Sequence, residues 1–196
     1  NGHVSFGCLN NLSKLNHKVL ALWGEVLRAV PAATLLIQAA ALDDAPNRVR
    51  FGKLCARHGI APVRLALRGF VPIERSSASY AEIDIALDPF PFSGGMTSLE
   101  ALWMGVPVIT LAGETVACRQ SSSMLMNLGL PELIAENAKQ YVANALRLTR
   151  DLPRLTELRA GLRARFASSP LMDYAGFTRS LEAAYRDMWR AWIASS

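Results

Sequence analysis

The sequence is poor in the residues and patterns that mark the commoner site chemistries. It holds 3 cysteines, Cys8, Cys55 and Cys118, an odd number at wide separations. That spacing excludes a disulfide framework and a cysteine-based metal site. The 3 histidines, His3, His17 and His58, stand isolated from one another and from other ligand types. No metal site is expected. No apolar run approaches the ~20 residues that cross a bilayer, so a membrane partner is not expected either. Asn1-Gly2-His3-Val4 does not open a signal peptide. Lysine-rich runs and interleaved aromatic and basic residues are missing, whereas a nucleic-acid binder clusters its positive charge. A Walker motif, a G-x-G-x-x-G fingerprint and a nucleophile elbow are all absent, as are internal repeats. These gaps leave a cytoplasmic protein with reduced core cysteines. For Cys118 a catalytic thiol is the competing reading.

Hydrophobic residues make up 51% of the chain, enough for a sizeable core and too many for wholesale disorder. The formal charge of +5 is dispersed and suits an anionic small ligand or an acidic partner. The chain starts directly at a strand, as a piece cut from a longer protein would.

Strands and helices alternate along most of the length. Val4–Leu9, Thr34–Gln38, Val63–Leu67, Ile83–Leu87 and Pro107–Thr110 read as strands. They are short and continuously apolar, as in a sheet covered on both faces. Helices are expected from Asn16, an N-cap, to about Val30, from Pro46 to about His58, over Glu74–Tyr80, Ser98–Met104 and Val116–Leu128. Three more follow, over about Asn137–Leu148, Leu152–Ala167 and Tyr174–Ala194. Leu130–Ile134 is a turn or short strand. This pattern argues an α/β fold with a parallel, doubly wound sheet, capped by C-terminal helices.

The chain is organised around Gly94-Gly95-Met96-Thr97. An apolar run ending in Asp88 precedes it and the helix through Glu100 follows, so the loop sits at the carboxyl end of a strand. Open α/β sheets bind ligands there. Free N–H groups at the helix start suit a phosphate. Right-handed crossovers bring the loops Asn10–Lys14, Gly69–Pro72 and Asp88–Thr97 to one edge of the sheet. Lys14 offers a point charge for a diphosphate, or is an exposed loop lysine. Asn11 offers an amide, or is a turn residue. Thr97 offers a hydroxyl, or caps the helix. Glu100, one turn on, can take a ribose diol, or is an acid favoured by the helix dipole. Asp88-Pro89-Phe90-Pro91-Phe92 is rigid and apolar, and either walls one side of a pocket or is simply a stiff loop.

The stretch from Leu87 to Thr110 resembles the donor-binding motif of the O-GlcNAc transferase/SPINDLY family of GT-B glycosyltransferases. The similarity extends to Phe6–Lys14, Gly113–Arg119, Gly129–Ala135 and Ser168–Leu171, and so to essentially the whole chain. It implies the C-terminal, Rossmann-like half of a bacterial-type member, with residues 1–135 as the nucleotide-sugar-binding domain and 136–196 as helices packing on it. The facing half, and the tetratricopeptide repeats that hold protein acceptors, would lie upstream. The resemblance implies that Lys14 neutralises the donor diphosphate and helps the nucleotide leave. It puts Asn11, Gly94, Gly95, Met96 and Thr97 at the phosphates, Glu100 at the ribose and Val71 at the base. No cofactor or metal is implied. The donor is UDP-GlcNAc by default, with GDP-fucose or UDP-glucose as alternatives, and transfer to protein serine or threonine inverts the anomeric centre.

Three departures stand out. Gly95-Met96-Thr97 replaces a His-Thr-Thr or Thr-rich run, losing hydroxyls and keeping N–H donors. Ser76 stands where a histidine near the base is expected. Val116 stands where bacterial relatives often have histidine. A degenerate, non-catalytic sugar-nucleotide-binding or scaffold module is therefore the alternative, and an unrelated sugar-nucleotide epimerase the third reading.

Overall fold

The computed structural model describes residues 2–195, except for the side chains of Ile73, Glu74 and Ser76. Six strands form one sheet: β1 (Ser5–Cys8), β2 (Thr34–Gln38), β3 (Leu65–Arg68), β4 (Ile85–Leu87), β5 (Val108–Leu111) and β6 (Ile134–Ala135). All pairings are parallel and the order is β3-β2-β1-β4-β5-β6. Phe6 stands opposite Leu35 on one side and Ile85 on the other. The chain winds outward from β1 to β3, returns across the sheet, and winds outward again from β4. The doubly wound expectation holds, and its switch point lies between β1 and β4.

The helices are α1 (His17–Ala29), α2 (Ala45–Arg57), α3 (Ile73–Ala81), α4 (Met96–Trp103), α5 (Val116–Asn127), α6 (Ala138–Arg150), α7 (Leu152–Ala167) and α8 (Tyr174–Ser195). Asn16 starts α1 by accepting from the N–H groups of Lys18 and Val19, which satisfies two of the donors a helix start leaves open. The buried face of α1 is Val19, Leu20, Leu22, Trp23, Val26 and Leu27. Each such burial contributes roughly 1.5–3 kcal/mol. Trp23 is fully buried, and its Nε1–H donates to Tyr141 of α6 at 3.1 Å. Gly105 allows α7 to close on α4. Its φ is 80°, and a Cβ there would lie 2.5 Å from the Arg159 carbonyl oxygen.

Some boundaries move for local reasons. β3 starts at Leu65, because Pro62–Arg64 forms a 3-10 turn with proline at its start. α4 starts at Met96 because Gly95, not a later residue, is its N-cap. Leu130–Ile134 resolves into a 3-10 turn, Pro131–Leu133, and the first residue of β6.

The expectation that the C-terminal helices pack on the sheet does not extend to α8. It buries none of its residues. Phe177, Tyr185, Trp189 and Trp192 on it are 60–70% exposed. Helical spacing puts them on one stripe, whereas α6 buries Tyr141, Ala145 and Leu148 and α7 buries Leu155, Leu158, Leu162 and Phe166.

Candidate functional site

At the switch point the loops after β1 and β4 meet. The β1 loop folds into a 3-10 turn, Leu12–Lys14, which Asn11 caps by accepting from Ser13 N–H at 3.0 Å. The turn aims Lys14 across the crevice. Its Nζ donates to the Ser93 carbonyl at 2.9 Å and to Asn10 Oδ1 at 3.2 Å, and lies 4.1 Å from the centre of the Phe92 ring. Asn10 Oδ1 also accepts from Thr97 Oγ1 at 3.0 Å. Buried Asn10 thus joins the lysine of one loop to the helix start of the other.

Asp88 ties that helix start to the sheet. It is 2% exposed. Oδ1 accepts from Gly94 N–H at 2.7 Å, and Oδ2 from Thr110 Oγ1 at 2.7 Å on β5. The Asp88 carbonyl accepts from Tyr141 OH at 3.0 Å. Burial pushes the Asp88 carboxyl above its ordinary value, against the Thr110 and Gly94 bonds and the Lys14 charge, which pull it down. Gly94 has no room for a side chain, because a Cβ would lie 2.1 Å from Ser98 Oγ and 2.8 Å from Asp88 Oδ1.

The backbone N–H groups of Gly95, Met96 and Thr97 have no acceptor among the described residues. They add to the positive end of the α4 dipole, with the Lys14 ammonium held beside them. Thr97 is not the N-cap, since its hydroxyl is spent on Asn10. Further down α4, Glu100 Oε2 accepts from Tyr80 OH at 3.0 Å, and the Thr97 carbonyl is 3.1 Å from the same hydroxyl. Burial first, then the Glu100 charge, raise the Tyr80 phenol well above its ordinary value. It stays a donor and fixes the carboxylate, leaving Oε1 free. This arrangement can hold an anion at the helix start and a pair of hydroxyls one turn away.

The structure brings Lys14, Gly94, Gly95, Met96, Thr97 and Glu100 together. The Asn11 side chain is exposed, its Oδ1 accepts from Ser13 N–H in its own turn, and no bond joins it to these residues. Asn11 lines instead a hollow of about 650 Å³ on the α2 side, with Phe51 and Leu54. Val71 sits in the loop after β3, two strands from β1, half-buried, with no bond to the other candidates. The structure adds Asn10, Tyr80 and Asp88 to the site. Only Asp88, an acid closing an apolar run, carried a visible signal.

Two expectations about isolated residues need correction. His17 Nδ1 and His58 Nε2 lie 3.0 Å apart, so these two histidines are partners, brought together by the packing of α1 on the end of α2. Cys118 is not a core cysteine. It is partly exposed at the start of α5, with Sγ 2.9 Å from Thr115 Oγ1. Cys8 and Cys55 are buried, and burial pushes both thiols up to about 12. No group of three or more His, Cys, Asp or Glu side chains suited to a metal ion occurs among the described residues. No described helix is long and apolar enough to cross a membrane.

Residues 1–181 match the model of glycosyl transferase family 41. The chain belongs to this family. Among its relatives is the "Probable UDP-N-acetylglucosamine--peptide N-acetylglucosaminyltransferase SPINDLY" of Oryza sativa subsp. japonica, 40% identical over 191 residues. A Caenorhabditis elegans UDP-N-acetylglucosamine–peptide N-acetylglucosaminyltransferase is 29% identical over 187 residues. Among solved structures, a mutant of the Thermobaculum terrenum O-GlcNAc transferase superposes with a TM-score of 0.92 at 44% identity. A sucrose-phosphate synthase from Thermosynechococcus elongatus, at 16% identity and a TM-score of 0.67, shares the fold. These matches cover 95–97% of this chain. In the other direction they cover 21% of the rice protein, 16% of the nematode protein, 37% of the bacterial transferase and 46% of the synthase. The chain is thus a family 41 glycosyltransferase region with the GT-B half-fold, spanning about a fifth of the plant relative's length.

Proposed function

We propose that this chain is the donor-binding part of a protein O-linked glycosyltransferase that uses UDP-GlcNAc. The observation that carries the reading is the pairing, across the β1–β4 crevice, of the Lys14 ammonium with the acceptor-free N–H groups of Gly95, Met96 and Thr97. The relatives, UDP-N-acetylglucosamine–peptide N-acetylglucosaminyltransferases by name, supply the donor and the peptide acceptor. In this reading the diphosphate lies on the α4 amides with Lys14 against it. The free oxygen of Glu100 takes a ribose hydroxyl, Val71 lies near the base, and Asn11 stands at the edge of the phosphates.

A serine or threonine hydroxyl, presented from outside this chain, attacks the anomeric carbon and releases its proton to solvent. The bond to the diphosphate breaks with inversion. Negative charge grows on the leaving UDP, where oriented amides and the ammonium stabilise it at no cost of reorganisation. Residues 1–135 form the nucleotide-sugar-binding domain and 136–196 an appended helical region. The chain by itself binds donor and turns over little, because half the cleft is contributed by other residues.

Calorimetric titration with UDP, GDP and UDP-GlcNAc tests the reading. It expects UDP and UDP-GlcNAc to bind more tightly than GDP. No binding of any nucleotide by the folded chain contradicts it and favours a scaffold role. Robust transfer to protein by residues 1–196 alone contradicts the half-cleft part.

A further inference from the structure

Gly95 caps α4 without a side chain, and the space its Cβ would fill is already occupied. An ideal Cβ there lies 2.9 Å from Oε1 of Gln120 on α5. The Gln120 amide is half-buried and has no hydrogen-bond partner among the described residues. Its position is nonetheless fixed, because α5 is tied to the ligand loop on both sides of it. The Ala117 carbonyl accepts from Ser93 N–H at 3.1 Å and from Ser93 Oγ at 2.9 Å. Ser121 Oγ donates to the Gly94 carbonyl at 3.1 Å and lies 2.9 Å from Ser98 Oγ. A primary amide with both N–H donors unspent is therefore held over the helix start that carries the free backbone donors.

We propose that Gln120 is a donor-contact residue, whose side-chain N–H binds the phosphate farthest from the ribose. This rests on the donor site proposed above. Direction follows from the helix: Glu100 lies down α4 on the ribose side, so Gly95 marks the opposite, distal-phosphate end. A half-turn of the amide exchanges Oε1 for Nε2 and presents a donor to the incoming anion. Gly95 and Gln120 then act as a pair, the missing side chain of one making room for the amide of the other.

The test is calorimetric titration of the 196-residue chain with UDP and with UMP. Gln120→Met keeps the length of the side chain and removes the amide. It is expected to weaken UDP by about tenfold, the scale of a hydrogen bond to a charged group, to leave UMP unchanged and to leave the melting temperature unchanged. Gln120→Glu is expected to weaken UDP further through like charge. Gln120→Ala, which cannot overpack, serves if the methionine variant melts early. Unaltered UDP affinity in these variants, or equal losses for UDP and UMP, overturns the inference while the donor site stands. Failure of the wild-type chain to bind UDP overturns the donor site and this inference with it.

Discussion

Replacing Asp88 with alanine should loosen the ligand loop from the sheet. The carboxylate is 2% exposed and takes Gly94 N–H and Thr110 Oγ1, each at 2.7 Å. Alanine strands both buried donors, at about 1–3 kcal/mol each. One term opposes this. Burial of the carboxylate is itself unfavourable, as its raised pKa shows, and the variant is relieved of it. The net loss is about 2–4 kcal/mol, a large part of the ~5–15 kcal/mol that holds a domain together. A chain of this size loses roughly 2–4 °C per kcal/mol, so the melting temperature should fall by about 10 °C. Circular dichroism at neutral pH reads this, and a UDP titration on the folded variant reads the loop. Thr110→Val, which removes one donor and leaves the carboxylate bonded to Gly94, should cost about 1 kcal/mol. A melting temperature for Asp88→Ala within ~2 °C of wild type refutes the reasoning.

The same carboxyl makes stability depend on pH. Its folded-state pKa is raised above the unfolded value, so its contribution is full below the unfolded pKa and is lost as pH rises through the folded one. Measured against Asp88→Asn, the wild-type denaturant midpoint should fall as pH increases from about 4; a pH-independent difference counts against this. Gly94→Ala should cost about 1–3 kcal/mol by overpacking against Ser98 and Asp88, read by chemical denaturation, and an unchanged midpoint contradicts the close contact. Tyr80→Phe releases Glu100 and should cost about 1 kcal/mol of stability. It should also weaken UDP more than it weakens inorganic pyrophosphate, and equal effects on the two would separate Glu100 from the ribose.

The elements were legible because their signals are local. Asn16 before an apolar periodicity, Pro31 after it, and Pro153 in the first turn of α7 each act on neighbouring backbone. β2 and α7 accordingly fall at their expected bounds, Thr34–Gln38 and Leu152–Ala167. Half the site was legible for the same reason: Gly94 to Glu100 is one contiguous stretch. The remainder is assembled by topology. Asn10 meets Thr97 across 87 positions, and Tyr80 reaches Glu100 from another helix. Neither residue differs in type from ordinary loop and core residues, so nothing in the sequence marks it. Asn11 shows the reverse. As a residue type it suits a phosphate, yet its Oδ1 caps the turn that aims Lys14 and its side chain lines the hollow on the α2 side. The exposure of the aromatic residues of α8 is likewise beyond sequence periodicity, which shows a helix and not what packs on it.

The central claim is that Lys14 and the start of α4 together hold a nucleoside diphosphate. Titration of UDP and uridine into the wild-type chain and into Lys14→Met tests it most directly. UDP should bind the wild type at one site per chain, the lysine substitution should weaken it by at least about tenfold, the scale of a lost charge-assisted bond, and uridine binding should be unaffected. Equal affinity of both chains for UDP, or an equal loss for uridine, would contradict it.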